Sequence, residues 1–575
     1  MSLECRPRTG AGVEAGDAPG AGGPKLRVGL FADTHMQPRW AVEAFEKLAN
    51  SAPAEVVAVA TGRSARPSGP WLWLAYGRID RWLFGSKPDP SQPIDLKAVF
   101  PAVRFFSLPE PQAGAAAIAA WRADVKALHL DVALILGDLD YLGLENLAKS
   151  GLWRHCFGEE KAALERAAGW REVIEGAPVT HSGLVARLPA GAGERMVFQS
   201  CSRTFPYSVA RNRENLLRKT ARFTGRALRE LHRSGDAWLA GRPRVFPCRG
   251  EEAPRAGLEG VSRIGRRIAR RAVEKLLYTE QWILAYRFGT APDWRGDLSA
   301  FTRLAPPPDR FWADPFPLAR HGRHYIFYED YAFAAGKGCI AVIEVAADGS
   351  RSAPVRVLER DYHLSYPFLV EDEGELFMVP ETGDNRTVEL YRCIDFPHRW
   401  RLEKILLRHG RYLDATLHRA QDRWWMFVNE AIPGTDGYDE LHLYHADRLL
   451  GPWRPHERNP VKSDVLSARP AGRLFQRDGA LYRPAQICAP LYGSGVSINR
   501  VLRLSPDAYA EREEHRIVPA DAGGAHGLHT VNRAGDLSVI DLFVRRPRRP
   551  ERAAAASEPK RLVRFNSAIT QVADN

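Results

Sequence analysis

Apolar and polar residues alternate in short runs through the second half of the chain, and turn residues separate the runs. Five of these runs share a design and begin a repeated unit. They are Ala313-Asp314-Pro315-Phe316, Ser365-Tyr366-Pro367-Phe368, Leu413-Asp414-Ala415-Thr416, Ala468-Arg469-Pro470-Ala471 and Leu528-His529-Thr530-Val531. The second residue of each run, taken as its marker, follows the previous marker by 52, 48, 55 and 60 residues. Such an interval is typical of one blade of a β-propeller.

Each opening run is followed by a turn with Gly or Asp and then by an aromatic or β-branched strand, and the first four repeats add a third strand. Strands joined by such turns pair antiparallel. One blade cannot bury its faces alone, whereas five stacked blades can. The pattern therefore predicts an all-β, five-bladed propeller over residues 300–546.

The second strands of four repeats carry an acid or amide at a similar place, 15 to 17 residues after the marker. These residues are Glu329, Glu381, Glu430 and Gln486. In the fifth repeat Asp541 lies only 12 residues after His529, a looser match. Because the first strand of each blade lines the central channel, the marker residues are expected to converge there beside these acids.

The first half of the chain has a different pattern. The buried-strand sequence KLRVGLFADTH, the helical sequence WAVEAFEKLANS and the strand EVVAVATG form a βαβ unit, and DVALILGD adds a further apolar strand. No G-x-G-x-x-G fingerprint is present. Residues 25–207 are therefore predicted to form an α/β, Rossmann-like domain, after a disordered Gly/Ala-rich lead-in at residues 1–24. Tryptophans 71, 73 and 82 are assigned to packing, with stacking on a ligand as the alternative.

Residues 208–299 are predicted to be a helical, basic connector. In one helix the apolar positions Ile264, Ile268, Val273, Leu276 and Leu277 can share a face while Arg and Lys fill the rest. Such a helix can lie on an anionic membrane, and the alternative is a solvated connector packed on the propeller. Residues 547–575 are predicted to be a basic, disordered tail.

Length, composition and net charge limit the expected number of domains, the cellular compartment and the class of partner. A chain of 575 residues exceeds what one core usually supports, so two or three domains are expected. The seven dispersed cysteines favour reduced thiols in a cytoplasm, and no apolar run approaches the ~18 residues of a membrane span. A net charge of +12 suits an anionic partner, although an Arg-rich composition alone also produces it. Without base-reading motifs, nucleic acid is not an expected partner.

The propeller sequence also resembles known families. FWADPF, LDATLH and the repeated carboxylates resemble the five-bladed propeller glycosidases of the arabinanase, levansucrase and invertase type. With YPFLVEDEGELFMVPET and SARPAGRLF followed by LYRPAQ, residues 300–545 more closely resemble the N-terminal propeller region of plant glucosamine inositolphosphorylceramide transferase and its bacterial relatives. In the plant protein the transferase domain lies outside this region, so the resemblance implies a fold and a glycan setting.

The glycosidase resemblance implies roles for the axial residues. Asp314 matches the base or nucleophile, and Asp414 matches the acid that holds the sugar. The fourth blade opens with Arg469 where those enzymes place their acid Glu, so Glu381 or Glu430 would have to supply it. The remaining positions are assigned to substrate binding, with Arg469 and His529 suited to a ligand phosphate or carboxylate. These positions are Tyr366, Arg469, Gln486, His529 and Glu329. The alternative is that the axial Asp residues cap strand ends and that Arg469 is their counter-ion.

Residues 25–207 resemble a formyltransferase N-terminal domain that has lost its catalytic residues. His155 keeps the His position, Trp153 stands where Asn is needed, and neither Ala190 nor Ala192 supplies the Asp. Because formyl transfer needs an amide, an imidazole and a carboxylate together, this domain is expected to be inactive in that chemistry. His155 is then a packed or surface residue.

The sequence predicts a cytoplasmic, bacterial-type carbohydrate-active enzyme, which could attach peripherally to the inner membrane face. Its substrate would be a glycan or glycolipid, phosphorylated or nucleotide-linked, and no cofactor, formylfolate or metal is expected. A non-catalytic glycan-binding scaffold is the first alternative. An active sugar-nucleotide formyltransferase is the second.

Overall fold

The computed structural model describes residues 24–51, 53–62, 71–110, 112–137, 139, 144, 146–158, 168–245, 258–289, 294, 298–420 and 422–548. The predicted lead-in and nearly all of the predicted tail lie outside these residues. The described part divides into an α/β domain, a long helix and a propeller. Among the described helices, none is long and apolar enough to cross a bilayer.

The α/β domain is built on one mixed sheet flanked by helices. Its strands are β1 Leu26–Ala32, β2 Met36–Pro38, β3 Ala54–Thr61, β4 Pro93–Asp95, β5 Arg104–Ser107, β6 Val132–Leu136, β7 Leu152–Phe157, β8 Val179–Arg187, β9 Glu194–Arg203 and β10 Arg244–Val245. Its helices are α1 Arg39–Ser51, α2 Trp71–Phe84, α3 Leu96–Val99, α4 Ala115–Lys126, α5 Trp170–Glu175, α6 Val209–Thr220 and α7 Phe223–Ala240.

The eight-stranded sheet has the order β10-β9-β8-β7-β6-β1-β3-β5. Strands β5, β3, β1, β6 and β7 are parallel, and β8 to β10 continue the sheet antiparallel. The predicted βαβ unit is confirmed, because β1 and β3 pair in parallel across α1. Strand β6 is a run of five fully buried residues, as expected for a strand covered on both faces. The resemblance to a formyltransferase stays a prediction.

His155 lies on β7 and is packed against helices. Its Nε2 is 3.1 Å from Thr224 Oγ1 on α7, and its ring meets Trp40 edge-on at 5.0 Å. Burial lowers the pKa of His155 to about 3, so the imidazole is neutral. Trp153, two residues earlier, is fully buried in the core. Both residues therefore support the packing of the domain.

The propeller has five sheets. Blade 1 comprises β13 Arg310–Arg320, β14 Arg323–Ala332, β15 Lys337–Val345 and β16 Val355–Leu358, and blade 2 comprises β17 Ser365–Asp372, β18 Glu375–Thr382, β19 Thr387–Asp395 and β20 Arg399–Arg408. Blade 3 comprises β21 Arg411–Ala420, β22 Arg423–Ala431, β23 Glu440–Ala446, β24 Arg454–Pro455 and β25 Lys462–Ser463. Blade 4 comprises β26 Phe475–Arg477, β27 Ala480–Ile487, β28 Gly495–Ser505 and β29 Ala508–Ile517. The predicted five-bladed propeller is confirmed.

Blade 5 corrects the predicted helical connector. Helix α8, Leu258–Leu277, ends earlier than expected, and β11, Tyr278–Phe288, is a strand. It pairs along its whole length with β31, Leu537–Pro547, and its other neighbour is β12, Thr302–Leu304, while β30, Val531–Ala534, completes the sheet. Residues 281–286 are all buried, with Ile283 and Ala285 in one apolar cluster and Leu284 and Tyr286 in another, as expected of a strand covered on both faces. An early strand thus closes the ring.

The innermost strands tolerate proline because they are sheet edges. Among the described strands, β13 pairs only with β14, and β17 pairs only with β18. A proline lacks an N–H, so it is confined to strands with one unpaired side. Pro315, Pro317 and Pro367 accordingly occupy the strands nearest the axis.

Candidate functional site

Three axial residues sit in an unusual backbone conformation. Asp314, Tyr366 and Asp414 have φ values of +50°, +43° and +54°. Each lies at a break in strand register, between residues 313 and 316, 365 and 368, and 413 and 416. Positive φ is uncommon outside glycine, and a bulge re-aims the side chain of its strand. The same bulge therefore recurs in three blades and turns their markers inward.

The Asp314 side chain is fixed by hydrogen bonds and by a contact with an imidazole. Its Oδ1 accepts a hydrogen bond from Thr530 Oγ1 at 2.8 Å and lies 3.0 Å from His529 Nε2. The backbone N–H of Tyr366 donates to its Oδ2 at 3.3 Å. The side chain is almost wholly buried. Hydrogen bonds thus reach both oxygens, and the imidazole of His529 contacts one of them.

His529 lies between two carboxylates. Its Nδ1 is 3.1 Å from Asp541 Oδ2, and its backbone N–H donates to Asp541 Oδ1 at 2.9 Å. Burial disfavours the imidazolium, but Asp541 and Asp314 outweigh burial and raise the pKa of His529 to about 10. His529 is therefore a cation bound within the protein and not a free anion receptor.

Asp414 has the matching arrangement in blade 3. Arg469 Nε and Gln486 Nε2 both donate to its Oδ2 at 2.6 Å. A terminal nitrogen of Arg469 is 3.3 Å from Glu381 Oε2. The guanidinium lies 5.0 Å from the centre of the Tyr492 ring. The structure thus places Arg469 as a counter-ion, the alternative left open by the sequence.

Two glutamates complete the cluster. Burial, and then the charge of Asp314, raise the pKa of Glu329 well above its usual range. Burial, and then the charge of Asp414, do the same for Glu381. Two carboxyls thus favour their protonated form beside two carboxylates. Environments that separate carboxyl pKa values in this way distinguish general acids from bases.

Tyr366 is at the axis but is enclosed. Its hydroxyl is 2.8 Å from Thr416 Oγ1 and accepts a hydrogen bond from the backbone N–H of Gly472 at 2.7 Å. The residue is fully buried. Tyr366 therefore ties three blades together, and the structure gives it no surface for the substrate contact predicted from the sequence.

The strand register corrects the prediction for Glu430. Glu329 pairs with Ala313, and Asn429 pairs with Leu413, in each case one residue before the marker. Asn429 therefore holds the equivalent place in blade 3, and Glu430 faces elsewhere, 3.1 Å from His442 Nδ1. A uniform spacing of 15 residues, which the first two repeats show, would have indicated Asn429.

An aromatic shelf adjoins the cluster at blade 1 and was not predicted. The rings of Phe311 and Tyr331 stack at 4.7 Å, and Phe333, 6.2 Å from Phe311, is 44% exposed. His363 links the shelf to the acids, because its ring lies 5.8 Å from Tyr331 and its Nε2 lies 3.4 Å from Glu329 Oε1. Such exposed aromatic surface beside polar groups is typical of a ligand site. The alternating aromatics of YEDYAF were the available signal.

One group of three possible metal ligands occurs in the described part of the chain. Ligand atoms of Asp314, His529 and Asp541 lie within 4.8 Å of one another. A metal needs the neutral imidazole, whereas the two carboxylates favour the imidazolium. The trio fits an internal ion-pair network better than a metal site.

A separate cleft lies away from the axis. It encloses about 1320 Å³ between the α/β domain and blades 3 and 4. Several of its cations are already paired: Arg226 with Glu440, and Lys149 with Asp236. Convergent, perturbed carboxyls favour the axis over this cleft as the candidate site.

The propeller has relatives of known name. The family model described as glucosamine inositolphosphorylceramide transferase 1, N-terminal, matches residues 300–539. The propeller matches this family region. Glucosamine inositolphosphorylceramide transferase 1 of Oryza sativa subsp. japonica is 34% identical over 220 residues, which are 38% of this chain and 29% of that protein. The protein of the same name from Arabidopsis thaliana is 31% identical over 230 residues, 39% of this chain and 30% of that protein.

The chain therefore covers less than a third of the length of these curated relatives. Among solved structures, the family 117 glycoside hydrolase Zg3597 of Zobellia galactanivorans aligns with a TM-score of 0.31 and 14% identity, over 46% of this chain and 90% of that one. The exo-β-1,3-galactanase 1,3Gal43A of Clostridium thermocellum aligns with a TM-score of 0.30 and 11% identity, over 40% of this chain and 59% of that one. The five-bladed assignment rests on the strand pairing of this chain itself.

Proposed function

We propose that the propeller acts on a glycosidic bond of a glycan or glycolipid at its axis. The observation that carries this proposal is the pairing of two proton-holding glutamates with two aspartates whose counter-ions are internal. Glycoside chemistry needs one carboxyl as acid and one carboxylate as base or nucleophile. Glu381 and Asp314 are assigned these roles.

The surroundings of each residue suit its role. Thr530, His529 and the Tyr366 N–H orient the Asp314 carboxylate for attack or for activation of water. Burial and Asp414 keep a proton on Glu381, which would pass it to the leaving oxygen. Asp414 and Arg469 act as positioning residues, because they contact Glu381 or set its charge.

The substrate class is supported by two observations. The matched relatives are named for a transfer of glucosamine to a phosphoinositol-bearing ceramide, so a glycolipid is the first class to test. In the shelf, Tyr331 and Phe333, backed by the buried ring of Phe311, offer apolar surface to a sugar ring next to Glu329. A ligand of at least two units would fill both the axial cluster and the shelf.

A glycan-binding module without catalysis is the second candidate. It is favoured by the low exposure of the carboxyls, since the side chain of Glu381 is only 10% exposed. In that case the shelf binds the sugar and the axial charges only stabilise the ring.

Variants of one carboxyl each separate the two candidates. Asp314→Asn and Glu381→Gln are compared with the parent for turnover of glycolipids, for glycan binding and for melting temperature. If the propeller is catalytic, each variant should lose turnover on the order of 10³-fold or more while folding and glycan binding are retained. Glu430→Gln is the matched control, because that residue lies outside the cluster, and it should leave turnover unchanged. Turnover by both cluster variants at the parental rate contradicts the catalytic assignment.

A further inference from the structure

Helix α8 exposes its apolar side to solvent. Ile264 is 2% exposed, but Ile268, Val273, Leu276 and Leu277 are 44, 52, 72 and 56% exposed. The apolar face predicted from the sequence is therefore split, with one residue inside and four outside. Several exposed apolar side chains on one helix indicate an interaction site.

Helix α8 is held to the rest of the chain by Ile264, which packs with Val173 and Val209, and by two arginines. Arg267 donates to the carbonyls of Val173 and Ile174, at 2.5 and 2.9 Å. Arg271 makes a bidentate pair with Glu280. These bonds hold the helix with its apolar side outward.

Further cations flank the exposed stripe. Arg263, Arg266 and Arg270 are exposed along the helix, and the Arg270 side chain is 82% exposed. Arg263 and Arg270 each pair with a glutamate of the same helix, Glu259 at 2.7 Å and Glu274 at 3.0 Å. At the end of the helix, the backbone N–H of Arg548 donates to the carbonyl of Leu277 at 2.8 Å. The basic end of β31 thus lies beside the most exposed leucines.

The stripe is also near the candidate site. Tyr278 follows α8 directly and begins β11, and Trp282 on that strand lies 4.2 Å, ring to ring, from His529. Four strand residues span about 13 Å. The end of α8 is therefore attached to the part of blade 5 that reaches the axial cluster.

We propose that α8 docks the chain on an anionic phospholipid surface, with its stripe at the level of the headgroups. A stripe of Ile, Val and Leu between arginines is what an interfacial helix needs, since apolar burial and attraction to anionic lipid add together. A second copy of the chain is a poorer occupant, because it would bring two rows of arginine together. The docked orientation would bring a glycolipid headgroup toward the axis, a point that rests on the proposed function.

Vesicle sedimentation of the full chain tests the docking without any need for turnover. The probes are phosphatidylcholine vesicles with and without phosphatidylserine. The parent is expected to sediment only with the anionic vesicles, and less so in high salt. Arg266→Glu combined with Arg270→Glu should lower partitioning by more than about 25-fold, since each nearby cation contributes roughly fivefold.

Leu276→Ser combined with Leu277→Ser should also abolish sedimentation. Leu502→Ser is the matched control, because Leu502 is 55% exposed on β28, and it should sediment like the parent. The docking is overturned if the parent ignores anionic vesicles or if the control loses binding equally. It is also overturned if the parent is a dimer that the leucine variant converts to a monomer.

Discussion

At the scale of single residues, the axis is a cluster of paired charges with one carboxylate in excess. Three carboxylates, of Asp314, Asp414 and Asp541, contact two cations, His529 and Arg469. Glu329 and Glu381 add no further net charge while they are protonated. The sequence predicted most of this group from the repeat, because spacing alone places equivalent residues at the axis. It could not predict that Arg469 and His529 bind internal acids, since that depends on distances across blades.

The proton-holding glutamates predict a pH-dependent stability. A carboxyl whose folded pKa is raised binds protons in the folded state, so its contribution falls as pH rises above the unfolded value of about 4.5. Glu381→Gln and Glu329→Gln remove this penalty and should raise the melting temperature at pH 8 relative to the parent. Thermal unfolding of the parent and both variants from pH 5 to 9 measures this difference in melting temperature. Variants that melt below the parent throughout that range would argue against protonated glutamates.

Replacing His529 is expected to lower stability, whereas replacing the glutamates is expected to raise it. Its folded pKa of about 10 lies above the unfolded value of about 6.5, so its stabilisation is complete below pH 6.5 and is lost as pH rises through 10. His529→Gln should destabilise the chain by roughly 3–5 kcal/mol at pH 7, because two buried carboxylates lose their cation. The difference from the parent should shrink toward pH 10 in urea titrations. A constant difference would mean that the imidazole is neutral.

At the scale of elements, the repeat predicted four blades and the inner strands of the fifth. It could not predict β11, because that strand precedes the first repeat and follows a helix without Pro or Gly between them. Its place is set by tertiary pairing with β31, the last strand of the propeller. Similarly, the register of β22 depends on the bulge at Asp414, so a residue count one position off selected Glu430 instead of Asn429.

The closing strand predicts where the propeller can be cut. A fragment of residues 278–548 retains β11 and should unfold cooperatively. A fragment of residues 300–548 lacks it, so β31 loses its neighbour along 11 residue pairs and the ring stays open. We expect the shorter fragment to aggregate or to melt without a transition. Equal, cooperative melting of both fragments would show that β11 is dispensable.

At the scale of the whole molecule, buried ion pairs join the α/β domain to blade 3. Lys219 on α6 is 2.6 Å from Asp439, and both side chains are buried. Arg226 on α7 makes a bidentate contact with Glu440 at 2.7 and 2.8 Å. The sequence held no signal for these pairs, since their members lie more than 200 residues apart. The two domains are therefore expected to unfold together.

Breaking one of these pairs tests that coupling. Lys219→Met leaves Asp439 buried without its cation and should destabilise the chain by about 3–5 kcal/mol, whereas Lys219→Met with Asp439→Leu should recover most of the loss. Lys149→Met is the control, because its pair with Asp236 is exposed and contributes at most about 1 kcal/mol. Calorimetry should show one transition in the parent. A parental melting curve for Lys219→Met would contradict the role of this pair.

The most direct measurement of the central claim is a crystal structure of the Asp314→Asn variant with a bound oligosaccharide from the matching glycolipid class. The account predicts sugar density at the propeller axis, with one unit within hydrogen-bond reach of Glu381 and a second against Tyr331 and Phe333. Sugar bound only in the 1320 Å³ cleft between the domains, with the axis empty, would contradict it.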